Sequence, residues 1–243
     1  MNTLCFDFGN TRLKAALFKG AEFIEEIYLA DDSNETIEFL IQKTNAGRSI
    51  LSSVINHNEG IENILAEKTV FHKLSHLTKI NFTTPVGKPE TIGADRLALM
   101  AAAAHFFPKQ NNLVIALGSC ITYNFLNQYQ QFLGGAISPG MNMRFKSMHD
   151  YTAKLPLATA EWNFPLIGYD TKTNLQSGVI VGIINEIEGF IGKYEERFGN
   201  FNVVLTGGNS AYFASQVKYR IFADHNFLFK GLYALSETNN CRT

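Results

Sequence analysis

The chain has 243 residues, of which 46% are hydrophobic and 18% are charged, and its formal net charge is −1 at pH 7. This composition argues against a disordered chain, and the near-neutral charge gives no electrostatic basis for binding nucleic acid. The length suffices for one large domain or two smaller ones, each with its own apolar core.

Three widely spaced cysteines, Cys5, Cys120 and Cys241, form no pair with the spacing of a metal or redox motif. We therefore expect a reducing compartment. No segment approaches the roughly 18 consecutive apolar residues of a membrane helix, and no secretory signal opens the chain. The sequence predicts a soluble cytoplasmic protein with no membrane partner.

The first part of the chain predicts strands followed by alternating helices and strands. Apolar runs over 4–8, 13–18 and 22–28 predict a β-meander. Ser33 or Asn34 can cap a helix that ends at Gly47. A strand over 50–55, a helix over 61–68 and a loop rich in Thr, Pro and Gly over 83–93 follow.

The second part repeats this order. An alanine-rich segment predicts a closely packed, buried helix over 94–107, which Pro108 stops. Residues 113–126 predict a strand, a corner and a second strand, and 130–138 predict a third strand. The remaining predictions are helices over 141–155 and 173–197, a strand over 202–208 and two further helices.

The repeated pattern predicts an α/β fold made of two duplicated nucleotide-binding domains, residues 1–112 and 113–243, with a cleft between them. Each half opens with a strand-corner-strand hairpin, one at Gly9-Asn10-Thr11 and one at Gly118-Ser119. Backbone amides and small hydroxyls in such corners can donate to phosphate oxygens, which would make the pair a phosphate clamp. The alternative is two unrelated tight hairpins.

Asp7 is the one carboxylate in the first apolar strand, between Phe6 and Phe8. Burying an unpaired carboxylate is costly, so we expect a compensating group. A magnesium ion that bridges Asp7 to nucleotide phosphates would supply it. The alternative is an Asp that caps its own turn. Lys14 would then be an edge charge rather than a phosphate contact.

Five segments together resemble one family. DFGNTRLK (7–14), IGADR (92–96), LGSCITYNF (117–125), LGGAISPG (133–140) and LTGG (205–208) are similar, in the same order, to motifs of the type III pantothenate kinases. That family belongs to the actin-like, or ribonuclease H-like, superfamily that includes sugar kinases. The resemblance spans essentially the whole chain, so it is more specific than any single motif.

The resemblance implies a homodimer that uses ATP to phosphorylate pantothenate to 4′-phosphopantothenate, the first step of coenzyme A biosynthesis. Asp95 would be the base that accepts the hydroxyl proton, and Asp7 would hold Mg²⁺. The alternative for Asp95 and Arg96 is a first-turn acid with a surface pair, and that for Thr171 is a helix cap. The implied ATP contacts are Asp7, Gly9, Asn10, Thr11, Lys14, Gly118, Ser119, Gly207 and Gly208, and the implied substrate contacts are Gly93, Ala94, Arg96 and Thr171.

Three positions depart from the family pattern. Ala116 stands where the family has the aspartate associated with a potassium ion, and an alanine methyl cannot bind a cation. Asn124 stands at a second acidic position, and Val86 where the family has a substrate-side tyrosine. The potassium site is therefore doubtful in this chain.

These departures leave three hypotheses. The chain is a kinase that works without potassium, a nucleotide-binding paralogue that is impaired or acts on another hydroxyl, or a regulatory protein without catalysis. Because Asp7 and Asp95 are both present, we favour the active kinase.

Overall fold

A computed structural model describes residues 1–84 and 87–240 and contains two five-stranded sheets. The strands are β1 (Asn2–Phe8), β2 (Leu13–Lys19), β3 (Glu22–Tyr28), β4 (Ala46–Ser53), β5 (Val70–Lys73), β6 (Asn112–Leu117), β7 (Cys120–Leu126), β8 (Phe132–Pro139), β9 (Asn202–Gly207) and β10 (Phe222–Ala223). The α-helices are α1 (Asn34–Thr44), α2 (Gly60–Lys68), α3 (Ala94–Phe106), α4 (Met141–Asp150), α5 (Thr171–Phe198), α6 (Ser210–Gln216) and α7 (Phe227–Asn239).

The two sheets have the same strand order. The first runs β3-β2-β1-β4-β5 and the second β8-β7-β6-β9-β10. In both, the strand that opens the hairpin pairs in parallel with a later strand, β1 with β4 and β6 with β9, and a further parallel strand follows at the edge. The predicted β-meander of β1, β2 and β3 is confirmed, and so is the duplicated α/β fold.

The chain forms two compact units that are discontinuous in sequence. The first contains Met1–Gln110, Leu126–Leu133 and the chain from Asn226 onward, and the second contains Asn111–Phe125 and Gly134–His225. One junction lies close to the boundary expected at 112/113. The C-terminal helix α7 belongs to the first unit because it packs against α3, β1 and β4.

Several element ends differ from the predictions. Helix α1 is capped by Ser33, whose Oγ accepts from the backbone N–H of Thr36, but it ends at Asn45 rather than at Gly47. Asn45 adopts the left-handed conformation (φ 48°), which asparagine tolerates, so β4 begins at once at Ala46. Helix α4 ends at Asp150 instead of 155, and the short edge strands β5 and β10 were not predicted.

The start of α5 corrects the proposed cap. Asp170, not Thr171, is the N-cap residue, and its carboxylate accepts from the backbone N–H of Thr173 at 2.7 Å. The Thr173 side chain bonds back to the Asp170 backbone N–H in a capping box. Thr171 is therefore the first helical residue of α5 and is exposed.

The two faces of the first sheet are packed differently. Leu4, Phe6 and Phe8 of β1 lie in an apolar cluster with residues of α1 and α2. Because side chains alternate along a strand, Cys5 and Asp7 point to the opposite face. Helix α7 contacts β1, and its Tyr233 stacks on Phe18 of β2 with ring centroids 4.7 Å apart.

In the second unit, α5 covers the sheet with a row of buried isoleucines at helical spacing. Ile180, Ile183, Ile187 and Ile191 are at most 2% exposed and share one core with β6, β7 and β9. Among the helices that the structure describes, none is both long enough and apolar enough to cross a membrane.

The predicted close packing of the alanine-rich helix α3 is confirmed. Ala98, Ala101 and Ala102 of α3 are buried, and Gly231 of α7 lies directly against them. A Cβ added at Gly231 would come within 1.9 Å of the Ala98 carbonyl oxygen. The backbones of α3 and α7 therefore approach to a distance that only glycine permits.

We predict that Gly231→Ala destabilises the protein by about 1–3 kcal/mol, since the methyl group must push α7 away from α3. Gly178→Ala in α5 is the matched control, because a Cβ there would meet no atom within 4 Å. It should stabilise by about 0.5–1 kcal/mol through helix propensity alone. Urea unfolding measures both; equal effects of the two substitutions would refute the close approach.

Candidate functional site

The first corner joins β1 and β2 and presents its backbone to solvent. The N–H of Gly9 donates to the carbonyl oxygen of Arg12 at 3.2 Å, which closes a tight turn. Asn10 and Thr11 at the tip of the turn are exposed. The corner therefore offers amides and a hydroxyl that an anionic ligand could reach.

Asp7 lies at the end of β1, next to this corner, and is half-buried. Burial, the charge of Asp95 and, to a smaller extent, that of Glu26 raise the pKa of Asp7 to about 7, although Lys14 offsets part of the shift. Among the described residues we see no hydrogen bond to its carboxylate. A carboxyl group with a raised pKa and no hydrogen-bond donor is typical of a site where a bound cation stabilises the ionised form.

Lys14 pairs with Asp7 across β1 and β2, but its ammonium group is engaged elsewhere. Its Nζ lies 2.5 Å from Oε1 of Glu26 on β3 and 5.1 Å from the ring centroid of Tyr28. The sequence analysis did not identify Glu26, because this contact depends on the pairing of β2 with β3. A phosphate contact by Lys14 would require exchange with Glu26.

Asp95 is in the first turn of α3, two residues after Gly93, the N-cap residue. Its carboxylate accepts hydrogen bonds from the backbone N–H groups of Arg96 and of Asp95 itself. The carboxylate folds over Gly93, where an added Cβ would lie only 2.5 Å from Oδ1. Burial raises the pKa of Asp95, although these amides and the charge of Arg96 partly counter the effect.

The structure thus brings Asp7 and Asp95 into one unit, close enough for the charge of one to shift the pKa of the other. Ala94 is partly exposed at the start of α3. The Arg96 guanidinium lies 5.4 Å from the ring centroid of the buried Phe132. Gly93, Ala94, Asp95 and Arg96 are therefore neighbours in the unit that contains Asp7, as predicted. Thr171 belongs to the second unit.

The second corner, between β6 and β7, is also built from backbone. The N–H of Gly118 donates to the Cys120 carbonyl at 3.0 Å, and the N–H of Gly140, before α4, donates to the Ser119 carbonyl at 3.1 Å. Gly207 at the end of β9 has φ +98°, and an added Cβ would lie 2.3 Å from the Leu117 carbonyl oxygen. The ends of β6 and β9 and the start of α4 thus meet at one place.

A small pocket lies beside this second corner. Gly208 borders open space, since nothing lies within 4 Å of an added Cβ. The structure places Gly118, Ser119 and Gly207 close together. The lining residues of the pocket are Leu117, Gly118, Ile121, Met141, Ile183, Asn209 and Phe213.

A polar network around Glu186 of α5 was not predicted. Glu186 accepts hydrogen bonds from Tyr123 Oη at 2.8 Å, Ser138 Oγ at 2.5 Å and the Arg144 guanidinium at 2.5 Å. Burial alone would raise the pKa of Glu186, but these donors together lower it. The network connects α4 to α5, and the N-cap residue of α4, Gly140, contacts the second corner. Only the tertiary fold brings these residues together.

The structure shows what the departures from the family pattern do locally. Ala116 of β6 pairs with Thr206 of β9 and offers no cation ligand. The buried Asn124 amide donates to the Val114 carbonyl at 3.2 Å and to Thr122 Oγ1 at 3.0 Å. An ionised carboxylate could donate neither bond, so the environment suits the neutral amide. Val86 lies outside the described residues.

A magnesium ion fits the first corner only if the ligand supplies most of its coordination. In residues 1–84 and 87–240, no group of three or more His, Cys, Asp or Glu side chains is placed to hold a metal. Magnesium usually takes one or two carboxylates and completes its shell with phosphate and water oxygens. Asp7, half-buried and without a hydrogen-bond donor, fits that role. On the neighbouring strand, the buried Ser52 Oγ also has no hydrogen-bond partner among the described residues.

The raised pKa of Asp7 predicts a pH-dependent stability. Because the folded carboxyl, with a pKa of about 7, keeps a proton that the unfolded one releases near its ordinary value of 3.8, the metal-free protein loses stability as pH rises across that window. We expect Asp7→Asn to abolish this loss. The advantage of the variant in urea unfolding should grow by about 2 kcal/mol between pH 5 and 8. A pH-independent difference would contradict the assignment.

Solved structures with similar folds support the α/β duplication. A Campylobacter jejuni protein of the Baf family superposes with a TM-score of 0.60 at 20% identity, covering 97% of this chain and 98% of that one. The polyphosphate/ATP-glucomannokinase from Arthrobacter superposes with a TM-score of 0.51 at 13% identity, covering 98% and 99%. At these identities the likeness shows the shared fold, the actin-like fold of sugar kinases.

Sequence relatives are closer. The type III pantothenate kinase of Christiangramia forsetii is 41% identical over 238 residues, which covers 97% of this chain and 98% of the relative. The type III pantothenate kinase of Bacteroides fragilis is 38% identical over 240 residues, covering 98% and 99%. The family model for type III pantothenate kinase matches residues 3–193. The chain therefore belongs to the type III pantothenate kinase family.

Proposed function

We propose that this protein transfers the terminal phosphoryl group of ATP to the primary hydroxyl of pantothenate, which starts coenzyme A biosynthesis. Family membership supports the substrates. The observation on which the chemistry rests is the pair of carboxylates in the first unit, Asp7 beside the phosphate-type corner and Asp95 at the start of α3.

Asp95 would accept the hydroxyl proton of pantothenate. The two backbone amides at the N-terminus of α3 fix its orientation, and burial raises its pKa, which makes the carboxylate a better proton acceptor than an exposed aspartate. Phosphoryl transfer passes through a loose transition state that needs positioning more than covalent chemistry. An oriented carboxylate therefore suffices as the base.

The two corners would bind the ATP phosphates. In the first unit Asn10 and Thr11 would donate to phosphate oxygens, and Gly9 would close the turn that presents them. In the second unit Ser119 would donate, and Gly118 would close its turn. Magnesium, when bound, would neutralise the charge that develops on the phosphoryl oxygens, and Asp7 would hold it. Lys14 would reach the phosphates after leaving Glu26, and Gly207 and Gly208 would border the nucleoside.

Pantothenate carries a carboxylate, and Arg96 presents a planar guanidinium to the site of Asp95. Arginine binds carboxylates through two parallel hydrogen bonds, so Arg96 is our candidate for that contact. Gly93 and Ala94 would leave room for the acceptor hydroxyl beside Asp95. Thr171, exposed at the start of α5, would be the substrate contact from the second unit.

We further propose that the enzyme works without potassium. Ala116 removes the charge that would attract a monovalent cation, and the Asn124 amide is fully engaged in hydrogen bonds. Less negative charge near the phosphates also leaves less for a cation to offset. The near-neutral charge of the chain supports a cytoplasmic enzyme without a nucleic-acid or membrane partner.

We propose a homodimer that uses an apolar surface of the second unit. In the segment between α4 and α5, Tyr151, Leu166, Ile167 and Tyr169 are between 72% and 89% exposed. Soluble proteins seldom leave several large apolar side chains in one short segment open to water. A second copy of the chain would cover them.

The kinase proposal predicts the behaviour of Asp95→Asn. We expect pantothenate-dependent ATP consumption to fall by about 10²–10⁴-fold, since the base is lost while shape is kept. The affinity for a non-hydrolysable ATP analogue should stay within threefold of the unmodified protein. The assay is run with and without potassium, and the activity of the unmodified protein should not depend on it.

Asp150→Asn, at the exposed end of α4 with only a surface pair to Lys146, is the control and should leave turnover unchanged. Binding of the analogue without pantothenate-dependent turnover in the unmodified protein would contradict the kinase proposal. That result would favour the impaired or regulatory alternatives, or a different acceptor.

The dimer proposal predicts that Ile167→Asp yields monomers, because a charge at a buried apolar contact is costly. Leu77→Asp, on an equally exposed leucine of the first unit, should leave the dimer intact. Light scattering after size-exclusion chromatography gives the mass of each. A monomeric unmodified protein, or a dimer that survives Ile167→Asp, would refute this surface.

A further inference from the structure

A row of side chains crosses the first sheet at the level of Asp7. Asp7 pairs with Lys14 of β2 on one side and with Ser52 of β4 on the other. Lys14 in turn pairs with Tyr28 of β3. Because directly paired residues on neighbouring strands point to the same face, these four side chains share the face that contains Asp7.

Ser52 is an unusual member of this row. It is completely buried, and its Oγ has no hydrogen-bond partner in the part of the chain that the structure describes. A buried hydroxyl without a partner costs free energy, so native proteins seldom leave one unless it serves another state of the molecule. Its neighbour in the chain, Ser53, does have a partner, since its Oγ lies 2.8 Å from His57 Nδ1.

Asp7 lacks a hydrogen-bond donor among the described residues. Its carboxylate accepts no hydrogen bond that we see within the described residues, and the Lys14 ammonium on its other side is paired with Glu26 at 2.5 Å. Among the described residues, the Asp7 carboxylate thus lacks a donor, and the Ser52 hydroxyl on the neighbouring strand lacks an acceptor. Neighbouring strands are about 4.8 Å apart, and serine moves between staggered rotamers, so a rotation of Ser52 can bring the two groups into contact.

We propose that Ser52 is the positioning residue for Asp7. Ser52 Oγ would donate a hydrogen bond to the Asp7 carboxylate when that carboxylate holds the divalent cation. This inference rests on the proposed role of Asp7 as the metal ligand. A hydrogen bond to a charged carboxylate is stronger than a neutral one, and such outer contacts fix the orientation of metal ligands.

Ser49 offers a matched control on the same strand. It is also completely buried, but its Oγ lies 2.6 Å from Thr69 Oγ1. Replacing Ser49 by alanine therefore breaks an existing hydrogen bond, whereas replacing Ser52 by alanine removes a hydroxyl that has no partner in the metal-free protein. The two substitutions should separate stability from metal affinity.

The experiment measures Mn²⁺ binding by the electron paramagnetic resonance signal of the free ion, with the protein carrying a non-hydrolysable ATP analogue. We expect Ser52→Ala to weaken Mn²⁺ binding about 10-fold without lowering the metal-free urea midpoint. Ser49→Ala should lower that midpoint and leave Mn²⁺ affinity within twofold. Ser52→Thr, which keeps the hydroxyl, should restore most of the affinity.

Asp7→Asn separates the inference from the proposal on which it rests. If Asp7→Asn weakens Mn²⁺ binding and Ser52→Ala does not, the role of Ser52 is overturned while the role of Asp7 stands. If Asp7→Asn leaves Mn²⁺ binding unchanged, the metal assignment itself fails. A loss in Ser52→Ala that is accompanied by an equal loss of urea midpoint, and that Ser52→Thr does not restore, also overturns the inference.

Discussion

The central constraint on the first unit is the repulsion between two half-buried carboxylates. Asp7 lies near the end of the central strand β1 and Asp95 in the first turn of α3. Burial raises the pKa of both carboxyl groups, and the charge of Asp95 raises the pKa of Asp7 further. The fold tolerates this because α3 turns its N-terminal amides toward Asp95. Within residues 1–84 and 87–240 the Asp7 carboxylate has no such donor, so it is the group that we propose binds a cation. The close packing of α3 on α7, through Gly231, fixes the helix that holds Asp95.

The corner of the second unit is built differently from that of the first. It has no carboxylate pair at its corner; instead, backbone segments ending at Gly118, Gly140 and Gly207 meet where any Cβ at the last two would collide with a carbonyl oxygen. Glu186 of α5 accepts hydrogen bonds from Tyr123 of β7 and Arg144 of α4, and these contacts connect elements that adjoin the second corner.

The departures from the family pattern fit this division. Ala116 and Asn124 both belong to the second unit, where each removes a negative charge and where Asn124 forms hydrogen bonds that a carboxylate could not. Asp7 and Asp95, the groups nearest to the proposed chemistry, are kept in the first unit. Ala116 and Asn124 therefore both lie in the second unit, and the chain is a member of the family over nearly its full length.

Local patterns in the sequence determined the strands of the meander, the buried alanine-rich helix, the two corners and the motifs that indicate the family, because each depends on residues within one element or turn. Helix ends were predicted less accurately, because single residues decide them. Helix α1 ends at Asn45 rather than at Gly47, and the N-cap residue of α5 is Asp170 rather than Thr171. Only the tertiary structure decided that Glu26 pairs with Lys14, that Ser52 lies beside Asp7 and that the last helix joins the first unit. These contacts depend on strand register and helix packing between residues far apart in the chain, and no local periodicity encodes them.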